Sequence, residues 1–282
     1  MQAQEANAAL GVLEERLDGA GSRAERVAAF EAAYRHVAQW RYEVAVEGRW
    51  QRPGASAEDV RTPLAPGSGY RVTPDNWLPD RDTPAFKMLK KLEQVGLDRL
   101  AGETSLQNRV TLRDGRRVNG NTLGLQPGRY RFTGEVIEGS VEVAMTYAEA
   151  GDREVLRQAA FEALAELEEA RAGAGTDPQD PEQRQTFVDA AYFLVQGPEF
   201  QRGSDAIMRT FIAAAHTRVF DAAPVLPQAI DLDGMVRGQD GFSQVMHEQL
   251  RIAKSPAAQP GADVGAERPA VHSPHRREGL GR

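Results

Sequence analysis

The stretch of this chain best equipped for chemistry runs Phe200-Gln201-Arg202-Gly203-Ser204-Asp205-Ala206-Ile207-Met208-Arg209. Gly197-Pro198 breaks the chain just before it and an apolar helical pattern follows, so Arg-Gly-Ser falls where a helix opens. The first turn of a helix carries amide N–H groups without intrahelical acceptors and the positive end of the helix dipole. A guanidinium beside it adds parallel hydrogen bonds to phosphate oxygens. Each charge-assisted bond contributes about 1.5–3 kcal/mol, so Arg202, Gly203 and Ser204 together suffice to hold a diphosphate. The same pattern also describes a plain capped helix whose Arg202 pairs with a surface carboxylate.

Other reactive residue types also carry a structural reading beside a chemical one. Asp231, before Leu232, has the place of a helix N-cap. Thr62 before Pro63 suits the start of a turn. Tyr70 has a ring to stack on a base or to pack a loop. Arg131 alternates with Tyr130, so one of the two packs while the other faces a cleft or solvent, where a salt bridge is the ordinary role of an arginine. His36, His216 and His247 are far apart and lack metal-ligand spacing, and His272 and His275 sit with Arg276 and Arg277 in a solvated cluster. No Gly-x-Ser-x-Gly supports a hydrolase, and neither phosphate-binding glycine motif follows a strand pattern.

The elements that must position these residues are mostly helical. Leu10, Leu13 and Leu17 mark a short first helix. Ser22 and Glu25 form a capping box for a second, with Val27, Phe30, Tyr34 and Val37 on one face, failing near Gly48. From Gln51 to Pro84 six prolines interrupt regular structure, and a loop of that length with Trp50, Tyr70 and Trp77 in it reads as functional. Thr83-Pro84 opens a third helix that Gly96 is expected to stop. Two hairpins follow, one turning at Asp114-Gly115 and one around Tyr130 and Phe132. Asp152 is expected to cap a long helix whose acidic polar face is solvated. Asp180-Pro181, Ser204 and the region after Asp231 open three more helices.

These elements make one domain over 1–253: a lobe of helix 22–50 with the Pro-rich loop 51–84, then a helical core with hairpins over 85–253. Residues 254–282 lack periodicity and read as a disordered tail. The fold class is mostly α, in the α+β sense.

Composition narrows the function. The formal net charge of -7 argues against nucleic acid, which needs a basic face. With no cysteine there is no disulfide framework, thiolate metal site or Cys nucleophile. Met1-Gln2-Ala3-Gln4-Glu5 has no signal-peptide pattern, and Gln2 stands where myristoylation requires a glycine. No run nears the roughly 20 apolar residues of a membrane span. The expectation is a soluble protein without membrane insertion, cytoplasmic or delivered into a host cell without a cleaved signal peptide.

The 198–209 spacing resembles the Fic motif, with Phe200, Gly203 and Arg209 on its Phe, first Gly and last Arg. The catalytic His of that motif falls on Pro198, which cannot take a proton, and its Asn and middle Arg fall on Ser204 and Ala206. Gln201-Arg202-Gly203-Ser204 is more similar to the AvrB family of plant-pathogen effectors, which share the Fic-like (Fido) fold. Ala38-Gln39-Trp40-Arg41, Thr62-Pro63-Leu64, Tyr130-Arg131 with Thr133, and Ile230-Asp231-Leu232 with Met235, Gly238 and Phe242 resemble further blocks of that family, in the same order.

The resemblance implies a Fido/Fic-like helical bundle with small β-hairpins. It implies an effector-like glycosyltransferase that moves a rhamnose-like deoxysugar from a dTDP- or UDP-sugar to Ser or Thr of a host or partner protein, without a metal. Thr62, Arg202 and Asp231 match the family's key residues; Tyr70, Arg131, Gly203 and Ser204 are the expected nucleotide-binding residues. The alternatives are nucleotidyl transfer of the Fic kind and a non-catalytic module that binds nucleotide or partner. The chain departs from the family in a shorter segment before the Arg motif and in lacking a Gly-Cys acylation start.

Overall fold

The computed structural model describes residues 2–48, 56–75, 78, 80–130 and 133–252. Trp50, Trp77, Arg131, Phe132 and the expected tail at 254–282 lie outside the described residues.

The architecture is mixed α+β, with seven α-helices and a small antiparallel sheet among the described residues. Helix α1 (Gln2–Leu17) buries Ala9, Leu13 and Leu17. Helix α2 (Arg23–Val46) begins with the expected reciprocal cap between Ser22 and Glu25 and buries Phe30, Ala33, Tyr34 and Val37 at helical spacing. The Pro-rich stretch then holds a short 3-10 turn (Ala57–Val60), capped by Ser56 and Asp59, and strand β1 (Gly69–Arg71). Helix α3 (Pro84–Leu100) opens under Thr83 as expected but runs through Gly96 and ends at Ala101 in the left-handed conformation. Gly96 is needed for contact rather than termination: a Cβ there would stand 2.9 Å from Val143 Cγ1 on the sheet.

Three strands follow, β2 (Ser105–Thr111), β3 (Arg117–Arg129) and β4 (Val136–Thr146). They are not two separate hairpins. β3 pairs with β2 on one side and β4 on the other, and β1 closes the far edge, giving the order β1-β4-β3-β2. The Asp114-Gly115 turn is where the glycine's positive φ of 85° is used.

Helix α4 (Ala150–Gly173) is preceded by Glu149 rather than capped by Asp152, which lies inside its first turn. Its acidic face is not wholly solvated either: Glu168 is buried against Arg218 at 2.7 Å, and Arg171 also donates to it. Helix α5 (Pro181–Gln196) starts under Asp180, and helix α6 (Ser204–Phe220) starts after Gly203. The two-residue strands β5 (Pro224–Val225) and β6 (Arg251–Ile252) flank helix α7 (Ile230–Gln249) and pair with each other. Asp231 is not the N-cap of α7: Ala229 takes that place without a side-chain bond, and Asp231 sits in the first turn.

One hydrophobic core runs from Ala9 on α1 to Leu250 after α7. At its centre Tyr34, Phe161 and Phe211 meet edge-to-face at 5.6–5.9 Å, each contact worth about 0.5–1.5 kcal/mol beyond area burial. Helix α2 packs against α4 and α6 within this core, and α4, α5 and α6 form the frame on which the α5–α6 connection is displayed. No helix among the described residues is long and apolar enough to cross a membrane.

Candidate functional site

The loop from Gly197 to Gly203 joins α5 to α6 and is sewn to the 59–64 segment. Leu64 N donates to Glu199 O at 2.9 Å, Gln201 N to Thr62 O at 3.0 Å, and Arg202 N to Asp59 O at 3.2 Å, with an antiparallel bridge between Pro63 and Phe200. Two buried arginines of α4 hold the pair from behind: Arg153 donates to Leu64 O at 3.2 Å and Arg157 to Gly197 O at 3.1 Å. Backbone groups that would otherwise be orphaned in a loop are thus satisfied, which fixes the position of Arg202.

Gly203 ends this loop with φ 80° and has no side chain to cap the helix. The α6 amide ladder begins at Ile207, which donates to Gly203 O at 3.0 Å. The earlier amides of the first turn, on Ser204, Asp205 and Ala206, are the ones a helix cannot satisfy internally. The Ser204 hydroxyl donates to Phe200 O at 3.0 Å.

These groups open onto a cleft of about 1130 Å³, lined among others by Arg202, Gly203, Ser204, Tyr70 and Asp231. The structure therefore brings five of the seven sequence-predicted site residues to one cavity. Thr62 is not among the lining residues. Its amide and its hydroxyl both donate to Glu58 O at 2.8 Å, closing the 3-10 turn. Thr62 thus ends a turn where the sequence suggested it would start one, and its carbonyl serves the site indirectly by holding Gln201. Arg131 lies outside the described residues.

Arg202 is 44% exposed and its Nε lies 2.9 Å from Asp59 Oδ2, so the carboxylate partner foreseen for it is real but belongs to the cleft wall itself. Arg41 lines the same wall. It is 5% exposed and is packed under the Arg-Gly-Ser turn, since a Cβ on Gly203 would lie 3.0 Å from its Cγ. Burial pulls its pKa down, though an arginine stays charged. One turn into α6, Asp231 and Asp205 bracket Arg209, whose Nε is 2.6 Å from Asp205 Oδ1 and whose Nη2 is 3.6 Å from Asp231 Oδ1. Arg209 also donates to Pro227 O at 2.9 Å. It pins α6 to the start of α7, and it is not a lining residue.

Burial and the neighbouring Asp205 raise the Asp231 carboxyl to about 6, with Arg209 and the Leu232 amide opposing them. Tyr147, also in the cleft, is raised to about 12 by burial and then by Asp231. Sequence reasoning passes over Asp59 and Tyr147, and meets Arg41 and Asp205 only as members of motifs, without a role in the site. Their places depend on long-range packing, although the Ser56-to-Asp59 capping spacing does mark Asp59 as ordered.

The cavity is lined by cations, by the open amides of the α6 start and, near that same turn, by a carboxyl raised to about 6. Its apolar floor includes Leu194, Val195 and Met208. That arrangement can hold a phosphorylated group and take a proton beside it. No group of three or more metal-ligating side chains is found among the described residues. No protein-family model matches the chain, and no curated protein matches it.

Proposed function

We propose that the cleft is the active site of a transferase that takes a sugar from a nucleotide-sugar and places it on a protein hydroxyl, as the AvrB-like motifs imply. The observation that carries this reading is the pairing, in one cavity, of Arg202 and the uncapped α6 N-terminus with Asp231. In the reaction the acceptor oxygen bonds to the anomeric carbon and the bond from that carbon to the diphosphate oxygen breaks. The electron pair leaves on the nucleoside diphosphate, and the hydroxyl proton passes to Asp231. Arg202 and the α6 amides stabilise the charge that builds on the departing diphosphate. A carboxyl titrating near 6 is ionised and still basic at neutral pH, as a general base requires. The cleft volume exceeds that of a typical small-ligand pocket, leaving room for donor and acceptor together.

The test is incubation with a panel of nucleotide-sugars and a lysate as acceptor source, followed by intact-mass and peptide spectra. A deoxyhexose mass on Ser or Thr, lost in Arg202→Ala and Asp231→Asn, supports the reading. A nucleotidyl mass instead points to Fic-type chemistry. That alternative lacks its usual base, since the motif's His position is taken by Pro198 in the sequence and no histidine lines the cleft among the described residues.

A non-catalytic binding module is favoured by one observation, the Asp59 carboxylate already on Arg202. Saturable nucleotide-sugar binding without turnover, for any acceptor, would select it.

A further inference from the structure

Helix α7 is two helices in line: Gly238, with φ 73° and ψ -178°, divides it into a short half over 230–237 and a longer distal half. The short half carries Asp231 and, four residues on and so on the same face, Met235; both line the cleft. A helix that stops leaves its last four carbonyls without intrahelical partners. Here these belong to Gly234, Met235, Val236 and Arg237.

Side chains from four other elements meet three of them. Gln196, the last residue of α5, donates from Nε2 to Gly234 O at 3.0 Å. Asn108 of β2 and Asn121 of β3 donate to Met235 O at 3.1 and 3.0 Å. Arg99 of α3 donates from Nη1 to Val236 O at 2.6 Å and brings a positive charge to the negative end of the half-helix dipole. The four side chains are also bonded in series. Arg99 Nη2 donates to Asn108 Oδ1, Asn108 Nδ2 to Asn121 Oδ1, and the Asn121 amide to Gln196 Oε1, each at 2.8 Å. Asn108, Asn121 and Gln196 are buried, where such bonds are strong and a missing partner is costly.

Gln196 ties this series to the opposite wall of the cleft. The next residue, Gly197, begins the loop that carries Arg202, and Leu194 and Val195 just before it lie in the cleft floor. The two walls approach closely: a Cβ on Gly234 would stand 2.6 Å from Val195 Cγ1. Arg209 of α6 holds the start of the half-helix through Pro227 O and Asp231, and the series holds its end. A segment of about two turns gripped at both ends has its direction fixed.

We propose that Arg99, Asn108, Asn121 and Gln196 are positioning residues of the cleft, which set where the Asp231 carboxylate stands relative to the Arg202 loop. Their effect on transfer rests on the reading of the cleft as a transferase site; their effect on Asp231 does not.

The test cuts the series in the full chain and follows Asp231 directly, by NMR titration of its side-chain carboxyl. Asp205 and Arg209 of α6 and Tyr147 after β4 are the charged and titratable neighbours of this group, so a shift of the half-helix changes its burial and its neighbours together. In Arg99→Met the midpoint is expected to fall from about 6 by at least half a pH unit or so, towards the ordinary carboxylate range. Arg99→Lys, which keeps a donor for Val236 O, should restore most of it. Gln196→Leu cuts the series at its other end and should move the midpoint the same way, so the outcome does not hang on one variant folding; circular dichroism checks both. Where transfer is measurable, kcat should drop about tenfold with KM for the nucleotide-sugar unchanged. A folded variant that melts lower but titrates Asp231 no lower than the parent shows a purely structural network and overturns the proposal, as does a lowered midpoint with full kcat. A parent chain that transfers no sugar overturns the transferase reading alone and leaves the titration to decide this one.

Discussion

Arg202 Nε and Asp59 Oδ2 are 2.9 Å apart on one wall of the cleft, so the cation that faces the cavity is oriented by an anion from the Pro-rich segment. The arrangement aims the guanidinium and also sets a competitor against any incoming phosphate. Arg202→Ala is expected to weaken binding of a nucleoside diphosphate by at least about tenfold, the equivalent of one charge-assisted bond. Asp59→Asn should tighten it several-fold while the transfer rate falls, because attraction improves as aim is lost. Calorimetry on the two variants, with circular dichroism to verify folding, reads both effects.

Asp231 gives a pH signature. Its carboxyl is raised to about 6 from an ordinary value of 3.8, by burial first and Asp205 second. Transfer should therefore rise with pH through about 6 and level off above about 7, and Asp231→Asn should remove that limb along with most of the rate. For stability the sign is opposite to that of a salt-bridged carboxylate. The folded state holds this proton more tightly than the unfolded chain, so stability is lost as pH climbs from about 4 to 6. Asp231→Asn should consequently melt higher than the parent at about pH 7.5 and converge with it near pH 4, as followed by thermal denaturation.

At Gly203 the backbone has φ 80°, and an added Cβ would lie 3.0 Å from Arg41 Cγ and 3.3 Å from Val60 Cγ1. Gly203→Ala combines left-handed strain of about 1–2 kcal/mol with displacement of the turn that carries Arg202. A lower melting temperature and weaker diphosphate binding are expected together. A variant that loses stability but keeps full affinity would show that the position of the turn is unimportant to binding.

Glu168 tests the frame rather than the site. Burial alone would raise its carboxyl, but Arg171 and Arg218 outweigh it and hold the pKa below the ordinary value. Its contribution is present above about pH 4.5 and disappears as the pH falls through that lowered pKa. Glu168→Gln leaves the buried Arg218 short of its main partner and should cost about 3 kcal/mol at about pH 7. In urea titrations the gap to the parent should close in acid.

What can be read from the sequence is local. The Ser22–Glu25 box, the Asp180 and Thr83 caps and the opening of α6 at Ser204 each depend on residues within one helical turn, and all stand in the structure. Gly96 escapes such a reading because its reason lies far along the chain, at Val143. The shared strand β3 escapes it because pairing on two sides leaves no mark within the strand itself. The same holds at the cleft. Arg202, Gly203 and Ser204 announce themselves as a helix opening, whereas Asp59, Arg41 and Tyr147 reach the cavity only by tertiary packing. Thr62 shows the converse error, since a motif match gives no direction for a hydroxyl.

Helix α7 is broken at Gly238, where φ 73° and ψ -178° leave the helical region and Arg99 donates to the freed carbonyl of Val236 at 2.6 Å. Its first half bears Asp231 and its last turn bears His247. A rigid rod would transmit twist from one end to the other, but an articulated one clamped at the joint does not. Here the joint turns the segment that carries Asp231 away from the line of the distal half, whose Phe242 and Met246 are sunk in the core, so each half is oriented by its own neighbours.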